Sequence, residues 1–106
     1  MSRSLNELED LVVTWGKDRG ILPAPSPYFQ ALKTVSEVGE FADNVAKGRC
    51  VKDDIGDILV TLIMNSRIHG TNLTECLELA YDTISKRRGK MVDGVFVKEE
   101  DYQNYE

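Results

Sequence analysis

Four acidic side chains form two pairs near the middle of this sequence, and the members of each pair stand three residues apart. Glu37 and Glu40 make the first pair, and Asp54 and Asp57 make the second. Residues three apart on an α-helix project from neighbouring turns of one side, so two adjacent helices would bring all four carboxylates together. Such carboxylates repel one another unless cations intervene, and Mg²⁺ (with Mn²⁺ as the alternative) prefers oxygen ligands. The other interpretation is two solvated helix faces, with the aspartates complementing their helix dipole.

Polar residues extend both acidic pairs along their predicted helices. Lys33 and Asn44 share a side with the glutamates, and Thr61 and Asn65 continue the side of the aspartates. Apolar residues lie on both sides of the second strip, so we expect that strip to be buried or to line a cleft. Charged and polar groups in such a place need partners. This context favours one site built from two helices over two solvated faces.

Helix signals surround the acids. Ser4 with Glu7 is typical of a capping box, and Ser26 before Pro27 is typical of a helix start in which proline occupies the first turn. The sequence after Gly89 alternates valines around an Asp-Gly turn and predicts a short hairpin or an extended arm. The apolar rhythm places helices over about 5–18, 27–47, 52–69 and 73–88.

The fold class that follows from these elements is all-α, a four-helix bundle. About four residues join helices 2 and 3, so we expect these two helices to pack antiparallel. Helix 3 is apolar around most of its circumference, which indicates an oligomer interface in a chain of 106 residues. The length favours one domain over residues 1–106.

Composition argues against several classes of protein. The chain is 42% hydrophobic and 29% charged, as ordinary globular proteins are, and no apolar run approaches the roughly 20 residues of a membrane span. The amino-terminal segment carries acids and no continuous apolar stretch, so we expect no signal peptide and predict a cytoplasmic location. A net charge of −5 disfavours nucleic acid as a partner.

A basic cluster, Lys86, Arg87, Arg88 and Lys90, interrupts this acidic composition near the predicted end of helix 4. One interpretation is that the cations complement the dipole at the carboxyl end of a helix. The other is that they bind a small anion, because guanidinium and ammonium groups pair with phosphate oxygens. The residues alone leave both interpretations open.

The segment "EVGEFAD" followed by "DDIGDILV" resembles the MazG-like all-α nucleoside triphosphate pyrophosphohydrolases, which carry ExxE on one helix and ExxD on the next. The stretches "WGKDRGI", "QALKTVSEVGE" and "SKRRGKMVDGVFVKEED" also resemble small single-domain members of that family. The resemblance implies a MazG-like four-helix fold and a Mg²⁺-dependent enzyme that hydrolyses (d)NTP to (d)NMP and pyrophosphate. It also implies a homodimer or a dimer of dimers, in which a second subunit helps to complete the substrate pocket.

The resemblance assigns roles to residues by their position. Glu37, Glu40, Asp54 and Asp57 match the metal-binding acids, and Glu37 or Glu40 is then the catalytic group that orients the attacking water. The implied phosphate contacts are Lys86, Arg87, Arg88 and Lys90. The candidates for the substrate pocket are Trp15, Lys33 and Asn65.

Two positions depart from the family pattern. Asp54 stands where the family usually has Glu, so its carboxylate reaches about one methylene less, and the neighbouring Asp53 points about 100° away. Ser36 stands where many members carry a further acid. The alternative function is therefore a catalytically weak or inactive helical dimer that binds nucleotide or a protein partner.

Overall fold

The computed structural model describes residues 2–105, and this part of the chain is mainly α-helical. The helices are α1 (Leu5–Asp18), α2 (Tyr28–Ala46), α3 (Lys52–Ile68) and α4 (Leu73–Ile84). Two strands, β1 (Gly89–Val92) and β2 (Val95–Lys98), and a 3₁₀ helix (Glu99–Tyr105) follow them. This order confirms the prediction of four helices followed by a short hairpin.

Contacts within the chain divide it into two compact units, Met1–Leu73 and Thr74–Glu106. The first unit holds α1, α2 and α3, and the second holds α4 after its first residue, the hairpin and the 3₁₀ helix. One domain over residues 1–106 stays a prediction, as does the closed four-helix bundle. No helix within residues 2–105 is both long enough and apolar enough to span a lipid bilayer.

The amino ends of the first two helices follow their sequence signals to different degrees. At α1, the Glu7 N–H donates to Ser4 Oγ at 3.1 Å and the Ser4 N–H donates to Glu7 Oε1 at 3.3 Å, which is the predicted capping box. At α2, Pro27 occupies the cap position itself, so the prediction that it lies in the first turn is wrong. Ser26 still supports the helix start, because its hydroxyl accepts from the Tyr28 N–H at 3.2 Å.

Helix α4 is shorter than predicted. It ends at Ile84 rather than near Arg88, because the chain is already extended at Gly89, the first residue of β1. A Cβ atom on Gly89 would collide with the Phe96 ring and the Val97 carbonyl oxygen, so this close pairing needs glycine. Most of the basic cluster therefore lies in a connection between helix and strand, and not at a helix end.

The hairpin of the second unit closes through Asp93 and Gly94. Their φ values of 49° and 82° suit a tight two-residue turn with both central residues in the left-handed region, as the Asp-Gly pattern predicts. The antiparallel register pairs Gly89 with Lys98. The turn thus brings a lysine from the end of β2 to the start of β1.

The buried apolar core of the first unit joins α1 to α3. Val13 of α1 meets Ile63 and Met64 of α3, and Leu22 from the segment after α1 completes the cluster. Met64 is only 1% exposed. Helix α2 contributes none of these four residues, and the residue that it buries is a carboxylate, Glu37.

The apolar stripe of α2 faces outward instead. Apolar side chains of α3 are also exposed, among them Ile55, Leu59 and Leu62. Helices α2 and α3 therefore do not meet through the apolar stripe that the sequence pattern predicts for α2. We call four of the exposed side chains, each at least 65% accessible, the outer face of α2: Tyr28, Phe29, Leu32 and Val35.

A buried carboxylate in the first unit ties α1 to the start of α4. Glu9 is 4% exposed, and its Oε1 accepts the Leu73 N–H at 3.0 Å. Arg67 of α3 supplies the counter-charge, with Nη2 at 3.5 Å from the same oxygen. The sequence pattern gave no signal for Glu9, since it lies among other acids at the start of α1.

Candidate metal centre

Polar side chains connect α2 to α3 along their whole contact. Asn44 Nδ2 donates to Asp54 Oδ2 at 3.0 Å, and Thr34 Oγ1 donates to Thr61 Oγ1 at 2.8 Å. Asn65 Nδ2 donates to Thr34 Oγ1 at 2.9 Å. Late residues of α2 thus meet early residues of α3, and early residues of α2 meet late residues of α3. The two helices pack closely and antiparallel, as predicted.

The half of this contact away from the acids is a closed hydrogen-bond network, which we call the polar seam (Gln30, Thr34, Thr61 and Asn65). Asn65 Nδ2 also lies 3.1 Å from the Gln30 carbonyl oxygen and 2.9 Å from that of Thr61. Thr61 is 4% exposed, and its hydroxyl donates to the Ile58 carbonyl at 2.7 Å. A slip of one helix along the other would leave these buried groups unpaired, so the seam fixes the register.

The acidic residues lie at the other half of the contact, nearer the connection between the helices. Asp54 is 8% exposed and Glu37 is 9% exposed, whereas Glu40 is exposed and Asp57 is half-buried. Asp53 is exposed, so Asp54 is the aspartate of this neighbouring pair that faces α2. Acids from both helices therefore lie in one region of the contact, and their union in a single site stays a prediction.

Glu37 is the residue with the least satisfied side chain in this region. Its Oε1 forms an ion pair with Lys33 Nζ at 3.2 Å. Its Oε2 is buried and has no hydrogen-bond partner among the residues that the structure describes. A buried carboxylate oxygen without a partner costs free energy. The arrangement thus leaves a negative atom for which a cation or a donor from outside the chain is the natural partner.

The carboxylates act on one another across the helix contact. The pKa of Glu40 is raised above its ordinary value, chiefly by repulsion from the Glu37 carboxylate. A hydrogen bond that the protonated Glu40 carboxyl would share with Glu37 also raises it, Asp54 on the facing helix adds a smaller effect, and Lys33 partly offsets the rise. The neighbouring acids therefore make ionisation of Glu40 less favourable, which is expected of like charges that share a site.

The pKa of Asp57 is raised as well, and burial is the largest cause. Repulsion from Asp53, Glu37 and Asp54 adds to the effect, while Lys33 lowers it. The pKa values of Glu40 and Asp57 are thus each raised in part by a carboxylate of the other helix.

The donor set suits a hard divalent cation, although the carboxylates do not form a ready cage. Within residues 2–105, no three side chains of His, Cys, Asp or Glu converge closely enough to hold a metal ion. The fit to a cation depends instead on the partnerless Glu37 Oε2 and on the repulsion among the four acids. Carboxylate oxygens are the ligands that Mg²⁺ and Mn²⁺ accept.

A change of Glu40 to glutamine tests this repulsion through pH. A raised pKa means that the folded chain holds the proton more tightly than the unfolded chain. The resulting stabilisation is complete below the ordinary value of 4.5 and is lost as the pH rises through the folded value. Without metal, Glu40→Gln is therefore expected to raise the melting temperature at pH 7 by a few degrees, and the gap should close near pH 4.

Thermal denaturation followed by circular dichroism from pH 4 to pH 8 in chelator measures this difference. Glu78→Gln, a change at an exposed glutamate of α4, is the matched control and should leave the melting temperature unchanged. A Glu40→Gln protein that melts below the wild type at pH 7 would contradict repulsion at this site.

The three predicted pocket residues have different surroundings. Lys33 lies beside the acids through its pair with Glu37. Asn65 belongs to the polar seam, where its amide nitrogen meets acceptors of both helices. Trp15 is exposed on α1 with the Arg19 guanidinium 5.6 Å from its ring centre, so the ring already has a cationic stacking partner.

Three residues of the basic cluster, Lys86, Arg87 and Arg88, line a cavity of about 550 Å³ within the second unit. Lys90 does not line this cavity, because its ammonium lies 4.5 Å from the centre of the Tyr102 ring. Arg88 pairs with Glu99 at 3.3 Å, which neutralises one lining carboxylate. The lining residues are Thr83, Lys86, Arg87, Arg88, Lys98, Glu99 and Glu100.

Lys98 is a cation of this cavity that the sequence pattern missed. The signal was present in the Asp-Gly turn, since a two-residue turn at Asp93 fixes a register in which Lys98 opposes Gly89. Thr34 of the polar seam was missed too, because a single threonine beside the apolar stripe of a helix resembles an ordinary helix-surface residue.

Comparison with known proteins gives a narrow result. No protein-family model matches this chain, and no solved structure matches it. It is similar to a Haemophilus phage HP1 (strain HP1c1) protein described as an uncharacterized 18.2 kDa protein in the rep-hol intergenic region, with 32% identity over 62 residues. That match covers 57% of this chain and 38% of the phage protein, so the chain spans well under two thirds of its relative.

Proposed function

We propose that this chain is a Mg²⁺-dependent nucleoside triphosphate pyrophosphohydrolase of the MazG-like type, which cleaves (d)NTP to (d)NMP and pyrophosphate. The observation that carries the proposal is the buried Glu37 Oε2, which has no partner among the described residues and lies among acids of two facing helices. Such an atom calls for a cation, and carboxylates that hold Mg²⁺ beside open positions are typical of phosphoryl-transfer sites.

Four carboxylates would hold the cation in this proposal: Glu37, Glu40, Asp54 and Asp57. They would have to close in around it, because no three of them converge closely enough within residues 2–105. When bound, Mg²⁺ supplies positive charge that offsets the triphosphate and the negative charge that grows during the reaction. The helix contact supplies the geometry, because the polar seam fixes which acid of α2 faces which acid of α3.

Glu40 is the group best suited to accept the proton of the attacking water. Its carboxyl is exposed, and repulsion from Glu37 raises its pKa, which makes it a stronger base. Lys33 holds Glu37 Oε1 through an ion pair, which leaves Glu37 Oε2 for the cation and Glu40 as the group that orients the water. The water oxygen bonds to the α-phosphorus, and pyrophosphate leaves with the electrons of the broken α–β bridge.

The cations of the second unit are the proposed phosphate contacts. Lys86, Arg87 and Arg88 line one cavity, and Arg guanidinium groups match phosphate oxygens through paired donors. Lys90 stays a predicted contact, although its ammonium lies over Tyr102.

The experiment that tests the function is incubation of the purified protein with a panel of NTPs and dNTPs in Mg²⁺. The proposal requires nucleoside monophosphate and pyrophosphate in equal amounts. Release of inorganic phosphate without pyrophosphate would overturn the assigned bond cleavage. Nucleotide binding with no product from any substrate would favour the alternative, a weak or inactive helical dimer, for which Ser36 and the short Asp54 are the supporting features.

A second copy of the chain is the proposed cover for the outer face of α2. The helix pair exposes apolar side chains while its internal contact is polar, and interfaces between permanent partners are the more apolar ones. A homodimer or a dimer of dimers is therefore proposed, with no nucleic acid and no membrane as partner.

Two charges on the outer face are expected to separate the copies. In the double variant Leu32→Asp, Val35→Asp, the mass measured by light scattering should fall from that of two or four chains to that of one chain, 11.9 kDa. Association would otherwise bury both carboxylates without partners. Thr14→Asp, at an exposed position of α1, is the control and should keep the wild-type mass. A wild-type mass of 11.9 kDa at every concentration would contradict the proposal.

A further inference from the structure

Asp54 is held by a side chain to which neither the sequence pattern nor the family resemblance gives a role. Its carboxylate is 8% exposed and accepts at Oδ2 from Asn44 Nδ2 at 3.0 Å. Asn44 lies in the last turn of α2, and Asp54 lies in the first turn of α3. The contact therefore spans the connection that brings the two acidic pairs together.

The chemistry of this contact orients the aspartate. An asparagine nitrogen only donates, and an ionised carboxylate only accepts. The Asn44 amide must therefore turn its nitrogen, and not its oxygen, toward Asp54. The amide therefore binds one carboxylate oxygen of Asp54, Oδ2. A shorter acid has fewer rotatable bonds than glutamate, and a single hydrogen bond of this kind leaves it little freedom.

We propose that Asn44 is a positioning residue, which holds the Asp54 carboxylate in the orientation that a divalent cation requires. The inference rests on the proposed function, since it assigns Asp54 to the metal. It also accounts for the aspartate at position 54, where the family usually has glutamate. An aspartate held in place by Asn44 can bind the cation even though its side chain is one methylene shorter. Groups that orient metal ligands typically contribute a factor of about 10 to 100 in metal affinity.

Val13→Ala provides a control for a loss of stability alone. Val13 is 6% exposed and packs with Ile63 and Met64 in the apolar core, a cluster that contains none of the four acids. Its truncation leaves a cavity in that core. Loss of the Asn44 amide, by contrast, frees an acid of the candidate site.

The experiment measures Mn²⁺ affinity, from the free-ion electron paramagnetic resonance signal, together with the melting temperature in chelator. We expect Asn44→Ala to weaken Mn²⁺ binding by about 10- to 100-fold. Asn44→Leu, which keeps the side-chain volume, should show the same loss if the alanine variant does not fold. Val13→Ala should lower the melting temperature and leave the Mn²⁺ affinity within about twofold of the wild type, since the core cluster of Val13 contains none of the acids.

The outcomes separate this inference from the function on which it rests. Mn²⁺ binding by Asn44→Ala or Asn44→Leu as tight as that of the wild type overturns the inference and leaves the metal site standing. Equal losses of affinity in the Asn44 variants and in Val13→Ala overturn it too, because both changes would then act only through a loss of stability. Wild-type protein that binds Mn²⁺ but releases no pyrophosphate refutes the proposed function, and Mn²⁺ binding by Asn44→Ala that is about 10- to 100-fold weaker in the same experiment upholds the role of Asn44. Wild-type protein that binds no Mn²⁺ refutes both.

Discussion

Replacement of Asp57 by asparagine is expected to abolish pyrophosphate release and, in the same protein, to raise the melting temperature measured without metal. Asp57 is half-buried, and burial with repulsion from its acidic neighbours raises the pKa of its carboxyl. The charge is therefore unfavourable in the metal-free fold. Asparagine keeps the shape of the side chain and removes the charge, so the fold gains stability while the cation loses a ligand.

The expected loss of pyrophosphate release is more than about 100-fold, since even the groups that merely orient metal ligands usually contribute 10- to 100-fold. Product is measured as pyrophosphate from the best substrate of the panel, and stability by thermal denaturation in chelator. A fall in pyrophosphate release together with a rise in melting temperature is expected of a residue that serves catalysis and lowers stability.

Asp53→Asn is the matched control for this prediction. Asp53 carries the same charge, lies in the same turn of α3 and raises the pKa of Asp57, but its side chain is exposed. Its replacement should leave pyrophosphate release within a few-fold of the wild type. A loss as large as that of Asp57→Asn would mean that net charge in this turn, and not a specific ligand, sets the activity.

Mg²⁺ is expected to stabilise the wild-type protein strongly. A ligand that binds only the folded state contributes about 2.7 kcal/mol when its concentration is 100 times its Kd. In a chain of this size, that contribution corresponds to a rise in melting temperature of about 10 °C or more. The physical reason is that a cation relieves the repulsion among the acids and supplies the partner that Glu37 Oε2 lacks within the described residues.

Glu37→Gln distinguishes this specific effect from general screening of charge. The variant should melt above the wild type in chelator, because one of the repelling carboxylates is gone, and it should gain little from Mg²⁺. Sodium chloride at equal ionic strength should not reproduce the rise in the wild type. An equal rise with sodium chloride, or an undiminished rise in Glu37→Gln, would contradict a metal site at this contact.

The spacing of the acids and the short connection predicted how α2 meets α3. Residues such as Asp54 and Thr61 are polar positions within an apolar helix, and such positions must find partners wherever the helix is buried. Their antiparallel arrangement against Asn44 and Thr34 follows from a connection too short for any other path.

Other parts of the structure depend on contacts that no local pattern contains. The end of α4 could not be predicted, because serine, lysine and arginine at 85–88 tolerate a helix and only the tight approach of Gly89 to Phe96 requires a strand. The stripe of α2 was recognised as apolar, but periodicity does not state what an apolar face packs against. Leu32 and Val35 lie on the outer face, although apolar residues at such spacing usually pack into a core.

The division of α2 into a polar inner side and an apolar outer side has a practical consequence. In most helical proteins, a change in an apolar residue of a central helix disturbs folding and assembly together, so the two effects are hard to separate. Here the residues that set the helix register, such as Thr34, are different from those available for association, such as Leu32. Variants of one helix can therefore report on folding and on assembly independently.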